Sequence, residues 1–319
     1  MEFAWLEDFL TLAACGHFSR AAERRNVSQP AFSRRVRMLE DWIGAPLFNR
    51  DTHRVELTAA GHEFRPVAED IMRRVVSGRE LAREAAQVSA SALRFVCTNV
   101  LSLNFFPAWL ARVEAAVAAG AGPRSSISLV TDNMADCERL MMQGQAQFML
   151  CHHHPAAQTS LDSTYFRSLE VGHDTLVPVS APEAPGSQAP LHGLPGSAAA
   201  PVAHLAFSSA SGMGRIIAST RTRDAPPVWL SSVFTAHLAM VLLTMARAGR
   251  GCAWLPLSLV QHDLATGDLV RSAATTDWDV PMSIRLYRPR ARQSLAAEAF
   301  WTQVGGTVDA ARLPEGAAS

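Results

Sequence analysis

One segment of the sequence concentrates positive charge in a way that suits contact with nucleic-acid phosphates. Residues 19–37 contain six arginines and one glutamate, a local excess of +5, whereas the 29 basic and 29 acidic residues of the whole chain cancel. None of the basic residues is a lysine, so each such contact is a planar guanidinium fork with paired donors. A basic patch on a neutral chain favours one defined nucleic-acid surface.

The elements around this segment predict a helix-turn-helix. Apolar residues at helical spacing begin at Phe3, and Gly16 ends that first helix. Ser19 is expected to cap a second helix, and Ser28 to cap a third that ends at Gly44. The short joint between the second and third helices holds them at an angle, as DNA-binding helix pairs require.

The third helix carries residue types that read DNA. Recognition helices present their first residues to base edges in the major groove. The residues at these positions are Gln29, Pro30 and Ser33. Glutamine can pair with adenine through two hydrogen bonds, and Arg34 and Arg35 follow at a spacing suited to phosphates.

An extended stretch over residues 49–57 predicts a two-stranded wing. It carries Arg50 and Arg54, whose guanidinium groups can enter the narrower minor groove. A solvated basic helix face explains the charge alone, but it does not explain the caps, the tight turn and the wing together. The combination therefore favours a DNA-binding head.

The stretch from Phe9 to Gly61 resembles the winged helix-turn-helix of LysR-type transcriptional regulators. It contains SRAAERRNVSQPAFSRRVRMLE and closes with LTAAG, and further matches are FFPAWL from Phe105, GRGCAWLP from Gly249 and GDLV from Gly267. The resemblance implies an α/β chain with a two-lobed, periplasmic-binding-protein-like effector domain. It also implies a homodimer or homotetramer on double-stranded operator DNA.

A long helix is predicted to follow the head. Phe64, Val67, Ile71 and Val75 form an apolar stripe, for which we expect helix-to-helix dimerisation; the alternative is a solvated helix packed on its own domain. The predicted parts are a DNA-binding domain at residues 1–61, a linker helix at 58–88, an effector-sensing domain at 92–305 and a flexible tail at 306–319.

Beyond residue 92, strands and helices alternate as in an α/β domain with a mostly parallel sheet, including a helix over 234–248. Such domains bind ligands where strand ends and helix starts face the cleft between lobes. The residues expected there are Asn99, Val100, Ser102, Asp132, Asn133, Ser208 and Ser209. Their hydroxyl and amide groups suit a small anion or carboxylate, with Arg215 as the counter-charge.

Within the family, the regulatory half resembles the hypochlorite-responsive regulators. The segments that carry this resemblance are SLNFFP, CAWLP and SASGMGRII from Ser209. This implies a cytosolic oxidant sensor that switches by oxidation of a sulfur side chain. Met213 lies between two glycines at a predicted loop-to-helix start, where an exposed, flexible methionine can become a polar sulfoxide. A reversible ligand in the cleft is the alternative, and packing is the simpler role for this methionine.

Cys151 precedes three consecutive histidines, a combination that can bind a metal or activate a thiol. Three neighbouring histidines cannot all point one way and no second ligand cluster follows, so we expect no metal. By the family resemblance, His153 borders the effector cleft. The five cysteines are widely spaced and predict no disulfide framework; Cys97 and Cys252 are expected to be buried and inert, and a disulfide switch is the alternative.

Composition and missing motifs exclude several function classes. With 319 residues, 48% of them hydrophobic, the chain can bury a sizeable core. The acidic N-terminus lacks the features of an export signal, and no apolar stretch reaches the ~18 residues that cross a bilayer, so we expect a cytoplasmic protein without a membrane partner. Nucleophile, phosphate-binding and zinc-protease motifs are missing, and we expect neither catalysis nor a cofactor.

Overall fold

The computed structural model describes residues 2–49, 55–85, 92–117, 126–220 and 227–312. They form two compact units, the first drawn mainly from residues 1–86 and the second from most of the remaining chain. One hydrophobic core lies in the first unit and two lie in the second, as expected for a head followed by a two-lobed domain.

The first unit is a winged helix-turn-helix followed by a long helix. Glycines end two of its helices in the left-handed conformation, Gly16 at φ 66° and Gly44 at φ 82°. β1 and β2 pair antiparallel as the base of the wing. The elements are α1 (Phe3–Cys15), α2 (Phe18–Arg24), α3 (Gln29–Ile43), β1 (Phe48–Asn49), β2 (Glu56–Leu57) and α4 (Ala59–Ala85).

Aromatic packing holds the wing and the long helix against the helix-turn-helix. The Phe9 ring lies 5.4 Å from the Phe48 ring and 5.3 Å from the Phe64 ring, measured between centroids. Phe32 of α3 is fully buried in the same core. Burial of such a side chain contributes about 1.5–3 kcal/mol. These contacts fix the orientation of α3.

The predicted helix caps are only partly correct. α2 begins at Phe18 with His17 as its N-cap, so Ser19 lies inside the helix and does not cap it. Ser28 is at the N-cap of α3, as predicted, but its side chain makes no capping hydrogen bond. Its own backbone carbonyl accepts the Phe32 N–H at 3.0 Å and starts the helix.

The apolar stripe of α4 divides between two environments. Phe64 and Ile71 pack against the core of the head, which matches the alternative of a helix packed on its own domain. Val67 and Val75 are about half exposed, at 47% and 48%. Phe64 and Ile71 are thus packed within the first unit, whereas Val67 and Val75 leave apolar surface exposed.

The second unit alternates strands and helices as expected for an α/β domain. Its first half contains β3 (Leu93–Thr98), α5 (Asn99–Asn104), α6 (Phe106–Val117), β4 (Ile127–Asp132), α7 (Met134–Met142), β5 (Phe148–His153) and β6 (Phe166–Ser180). Its second half contains β7 (Val202–Phe207), α8 (Gly212–Thr220), β8 (Leu230–Ala236), α9 (Ala239–Arg247), β9 (Ala253–Pro256), α10 (Leu257–Thr266), β10 (Val270–Arg271), β11 (Val280–Pro289) and α11 (Leu295–Arg312).

The expectation of a mostly parallel sheet is wrong. Within the described residues the large sheet has the order β10-β6-β11-β5-β3-β4, with β9 also on β6. β3 runs parallel to β4 and β5, whereas β11 is antiparallel to β5 and β6. The reason is β6, a 15-residue strand whose polar residues, among them Glu170, His173 and Asp174, hide its extended character in the sequence.

A smaller parallel sheet, β7 with β8, forms the second lobe. The helix predicted over 234–248 begins only at Ala239, because residues 234–236 belong to β8. α11 continues through residues 306–312, where a flexible tail was expected. None of the described helices combines the length and apolar character that crossing a membrane requires.

Candidate DNA-binding surface and effector cleft

The residues expected to face DNA lie on the first turn of α3 and next to it. Ser28, Gln29 and Pro30 are exposed, and Ser33 is half-buried one turn further along. The Ser19 hydroxyl of α2 donates a hydrogen bond to the side-chain oxygen of Gln29 at 3.0 Å. α2 therefore orients the glutamine that we expect to read a base.

The basic segment divides into outward and inward arginines. Four of its arginines are exposed, and no carboxylate of the described residues lies within 4.0 Å of their nitrogen atoms: Arg20, Arg24, Arg34 and Arg37. Arg25 pairs with Glu7 and, at 2.8 Å, with the fully buried Asp8. Arg35 directs one amino group to Asp8 at 3.5 Å and is one-third exposed.

The inward pair has a structural task. A buried carboxylate needs a partner charge, because removal from water is otherwise costly. Burial by itself would lower the pKa of Arg25, but Asp8 and Glu7 outweigh it and raise that pKa, so the guanidinium stays charged. Arg25 thus stabilises the head, whereas the exposed arginines remain available for phosphates.

The wing is positioned by α3 itself. The Glu40 carboxylate accepts the backbone N–H groups of Leu47 at 2.9 Å and Phe48 at 3.2 Å. Gly61 lies so close to the wing that a Cβ there would be 2.2 Å from the Leu47 carbonyl oxygen. The predicted wing arginines, Arg50 and Arg54, lie outside the described residues.

A cleft of about 410 Å³ lies between the lobes of the second unit. Five residues predicted from strand ends and helix starts line it: Asn99, Val100, Asp132, Asn133 and Met213. They come from α5, the β4–α7 junction and α8, so the strand-end rule locates the cleft correctly. No arginine contributes to the described lining.

The other predicted cleft residues lie elsewhere. The Ser102 hydroxyl donates to the Asn99 carbonyl at 2.7 Å, within α5. Ser208 and Ser209 are absent from the described lining. The Ser208 backbone N–H donates a hydrogen bond to the Ala236 carbonyl oxygen at 2.9 Å. Arg215 and His153 are also outside this lining, and the Arg215 guanidinium donates to Glu138 at 2.8 Å.

Asp132 and Asn133 are already engaged in local hydrogen bonds. The Asn133 amide donates to Asp132 at 3.1 Å and to Asp136 at 2.7 Å. The Asn133 side-chain oxygen accepts the Asp136 N–H at 3.1 Å and thereby caps the start of α7. The Asn133 side chain is therefore fully used locally, whereas both hydrogen bonds to the Asp132 carboxylate end on its Oδ1.

Sequence reasoning missed several lining residues: Thr98, Met134, His152, Phe207, Ser211 and His237. Thr98 Oγ1 is a buried atom that makes no hydrogen bond in the described structure. Buried polar atoms nearly always have a partner, so this hydroxyl is ready to meet a ligand or water. The position of Thr98 in the lining could have been predicted from the sequence, because it immediately precedes the predicted Asn99 at the end of β3.

His152 sits next to a buried acid. Its Nε2 lies 3.5 Å from Asp174 Oδ2, and both side chains are only 3% exposed. Burial alone would raise the pKa of Asp174, but hydrogen bonds from His152 and Ser258 outweigh it and lower that pKa. The Asp174 carboxylate is therefore ionised.

Met213 is at the start of α8, as predicted, but it is buried and not exposed. Only 6% of the residue is accessible, and it belongs to the core of the second lobe. Its glycine neighbours serve close packing: a Cβ on Gly214 would lie 2.4 Å from the Ser208 carbonyl oxygen, and one on Gly212 would lie 3.4 Å from Met134. The methionine meets solvent through the cleft.

Four of the five cysteines are buried and none of the five forms a disulfide within the described structure, and the predicted burial of Cys97 and Cys252 is confirmed. Burial raises the pKa of Cys97, Cys137 and Cys151, that of Cys137 to about 12. Protonated thiols are poor nucleophiles, which disfavours a cysteine switch. Among the described residues, no three His, Cys, Asp or Glu side chains form a group suited to a metal ion.

Comparisons with known proteins agree with this organisation. The family model for bacterial regulatory helix-turn-helix proteins of the lysR family matches residues 3–62, and that for the LysR substrate-binding domain matches residues 86–308. The HTH-type transcriptional regulator YjiE of Escherichia coli is 29% identical over 304 residues, which cover 95% of this chain and 94% of YjiE.

Two solved structures are similar over nearly their whole length. HypT of Salmonella typhimurium, a hypochlorite-specific LysR-type regulator, is 28% identical with a TM-score of 0.55, covering 97% of this chain and 99% of HypT. DarR of Vibrio fischeri, solved in complex with DNA, is 27% identical with a TM-score of 0.53, covering 95% and 98%.

Proposed function

Because the chain belongs to the LysR family of DNA-binding transcriptional regulators, we propose that it controls transcription from an operator that it reads with α3. Proteins of this family act by binding DNA and not by catalysis. A regulator works in the compartment that holds its DNA, so we propose a cytoplasmic site of action. In this proposal Gln29, Pro30 and Ser33 meet base edges, while Ser19 and Ser28 flank them.

The observation that carries this proposal is the exposed first turn of α3 beside outward arginines. Arg34 lies one turn after the base-reading residues, where a phosphate is expected, and Arg35 contributes through the donors that it does not direct to Asp8. Arg50 and Arg54 are proposed to extend the contact from the wing. Genome-wide footprinting with wild type and Gln29→Ala tests it: wild type should protect discrete sites, and the variant should protect a less selective set that varies at one base position in each half-site. Equal footprints would refute the assignment.

We further propose that α4 joins two copies of the chain, in a homodimer or in a homotetramer made of two dimers. The support is the apolar surface at Val67 and Val75, which the first unit leaves exposed. Sedimentation analysis of a Val67→Glu/Val75→Glu variant should show a smaller assembly than wild type. An unchanged assembly would place the interface elsewhere.

For the response, we propose that a small ligand binds reversibly in the cleft. Thr98 Oγ1 supplies an unused polar atom, and the His152 imidazole, whose Nε2 lies 3.5 Å from Asp174 Oδ2, lines the same cleft. Calorimetric screening of small carboxylates against wild type and Thr98→Val tests this proposal. Weaker carboxylate binding by Thr98→Val supports the proposal, whereas equal binding by the variant and wild type would exclude the cleft as the binding site.

Oxidation of Met213 is the second candidate, favoured by one observation: its side chain lines the cleft, where a small oxidant such as hypochlorite can enter. The likeness to HypT adds support. A sulfoxide adds a polar oxygen inside a packed wall and would displace it. Operator binding should change with hypochlorite, recover with methionine sulfoxide reductase and be insensitive in Met213→Leu. If hypochlorite leaves the operator binding of wild type unchanged, this candidate is excluded.

A further inference from the structure

A side-chain hydrogen bond joins α2 to α3 on the surface that we expect to face DNA. The Ser19 hydroxyl donates to Gln29 Oε1 at 3.0 Å, and both residues are exposed. Neither side chain makes another hydrogen bond within the described structure. Because Oε1 faces Ser19, the NH2 group of Gln29 points away from it and keeps both of its hydrogens for a base.

The backbone of the two helices holds this pair in place. The Phe18 ring, next to Ser19, lies 6.2 Å from the Phe32 ring of α3, measured between centroids. The Val27 N–H closes the joint between the helices by donating to the Ala22 carbonyl at 3.1 Å. The two partners of the hydrogen bond therefore project from fixed positions, and only their side-chain torsions are free.

The Ser19 hydroxyl has no task within α2. His17 is the N-cap of that helix, so Ser19 lies inside the first turn. A serine inside a helix commonly donates to a carbonyl of the preceding turn, whereas Ser19 donates across to α3. Removal of this hydroxyl should therefore leave the fold intact and act on Gln29.

The orientation of a glutamine amide determines what it can read. The last torsion of a glutamine side chain is broad and roughly two-fold, so an unpartnered amide readily exchanges the places of its oxygen and its NH2 group. Each base pair presents its own order of donors and acceptors in the major groove. A freely turning amide matches a donor beside an acceptor in either order, whereas a fixed amide matches only one order.

We propose that Ser19 is a positioning residue that fixes the amide of Gln29 and thereby narrows the choice of base pair at one operator position. An amide oxygen has two lone pairs, so Oε1 can accept from Ser19 and from a base. The resulting edge matches adenine: Nε2 donates to N7, and Oε1 accepts from the N6 amino group. This inference rests on the proposed function, in which α3 reads an operator, and assigns part of the selectivity to α2.

The hydrogen bond should affect selectivity more than affinity for the preferred operator. In the free protein it orders the amide before DNA arrives, which reduces the entropy lost on binding. An operator that requires the opposite amide orientation must break it. A neutral hydrogen bond corresponds to about a two- to tenfold change in an equilibrium constant. Without the hydroxyl, discrimination between base pairs should fall by about this factor.

The test is selection from a random-sequence duplex library with the full-length protein, followed by affinity measurements at the position that Gln29→Ala identifies. The selected operator is compared there with its three single-base-pair variants. Ser19→Ala should broaden the preference at that position alone and reduce discrimination about two- to tenfold. Ser19→Thr keeps a hydroxyl and should retain the wild-type preference. In a Gln29→Ala background, Ser19→Ala should not change base preference further.

The matched control is Thr11→Ala. It removes a hydroxyl that donates to the Glu7 carbonyl within α1 at 2.7 Å, and it should leave base preference unchanged. Equal preference in wild type and Ser19→Ala would overturn the inference. So would a uniform loss of affinity for all duplexes that persists in the Gln29→Ala background, because that is the behaviour of a phosphate contact. If wild type selects no motif, the proposed function fails together with this inference.

Discussion

The Glu138 carboxylate on α7 accepts a hydrogen bond from the Arg215 guanidinium on α8 at 2.8 Å. α7 follows β4 of the large sheet, whereas α8 follows β7 of the smaller sheet, so this ion pair joins the two lobes. Glu138 is 2% exposed at its side chain and Arg215 25%. A change in the separation of the lobes must break or reshape this contact.

Replacing Glu138 with glutamine should therefore destabilise the second unit. Loss of the charge leaves Arg215 without its counter-ion, and hydrogen bonds to charged groups contribute about 1.5–3 kcal/mol. The free energy of unfolding in urea should fall by that amount. Glu183→Gln, an exposed loop carboxylate, is the control and should change stability by less than about 0.5 kcal/mol. Equal stability of both variants would contradict the assignment.

Gly61→Ala should destabilise the head. The new methyl group would meet the Leu47 carbonyl oxygen at 2.2 Å, and overpacking of this kind costs about 1–3 kcal/mol. Thermal unfolding and duplex binding should both reveal the loss. Gly306→Ala, in a helix with no atom within 4 Å of the new methyl group, should be neutral or slightly stabilising. A fully stable Gly61→Ala variant would show that the wing can move away from α4.

Arg25 and Arg34 should behave differently although both belong to the basic segment. Arg25→Ala removes the nearest partner charge of the buried Asp8. In comparable buried pairs this loss lowers the free energy of unfolding by about 3–5 kcal/mol. Arg34→Ala should leave stability almost unchanged. It should instead reduce the slope of log affinity against log salt concentration by about 1, measured on random-sequence duplexes. The opposite pattern would reverse the two roles.

Acid should destabilise the second unit partly through Glu298. Two hydrogen bonds from Arg288, at 2.6 and 2.8 Å, lower the pKa of Glu298 to about 2, against the opposing effect of burial. Because the pKa is depressed in the folded state, this stabilisation is complete above pH 4.5 and disappears between pH 4.5 and about 2. Glu298→Gln should be less stable at pH 7 and should lose less stability between pH 5 and 3.

Glu114→Gln, at an exposed site on α6, is the control for this pH series and should follow the wild-type acid response. An acid response of Glu298→Gln that parallels wild type would mean that other carboxylates dominate acid unfolding.

Local signals predicted the head well because its helix ends depend on nearby residues. Gly16 and Gly44 end their helices where the sequence indicated. Ser19 was misassigned because a serine in a first turn resembles a cap, whereas Phe18 enters the helix to pack its ring near Phe32, at 6.2 Å between centroids. Such a contact has no local signature.

Long-range pairing limited the prediction of the cavities. The sequence shows that Arg215 is charged, but not that it turns to Glu138, 77 positions earlier. Met213 was expected to be exposed because glycines flank it, yet those glycines allow close packing that buries it. The contact of His152 with Asp174 depends on the register of β5 with β11 and of β11 with β6, which no short motif encodes.

The central claim, that α3 reads an operator, is tested most directly by selection from a random-sequence duplex library. Wild type should enrich a motif of two related half-sites. Gln29→Ala should lose preference at one base position in each half-site and keep its general affinity for duplex DNA. Failure of wild type to enrich any motif, or an identical motif with Gln29→Ala, would contradict the account.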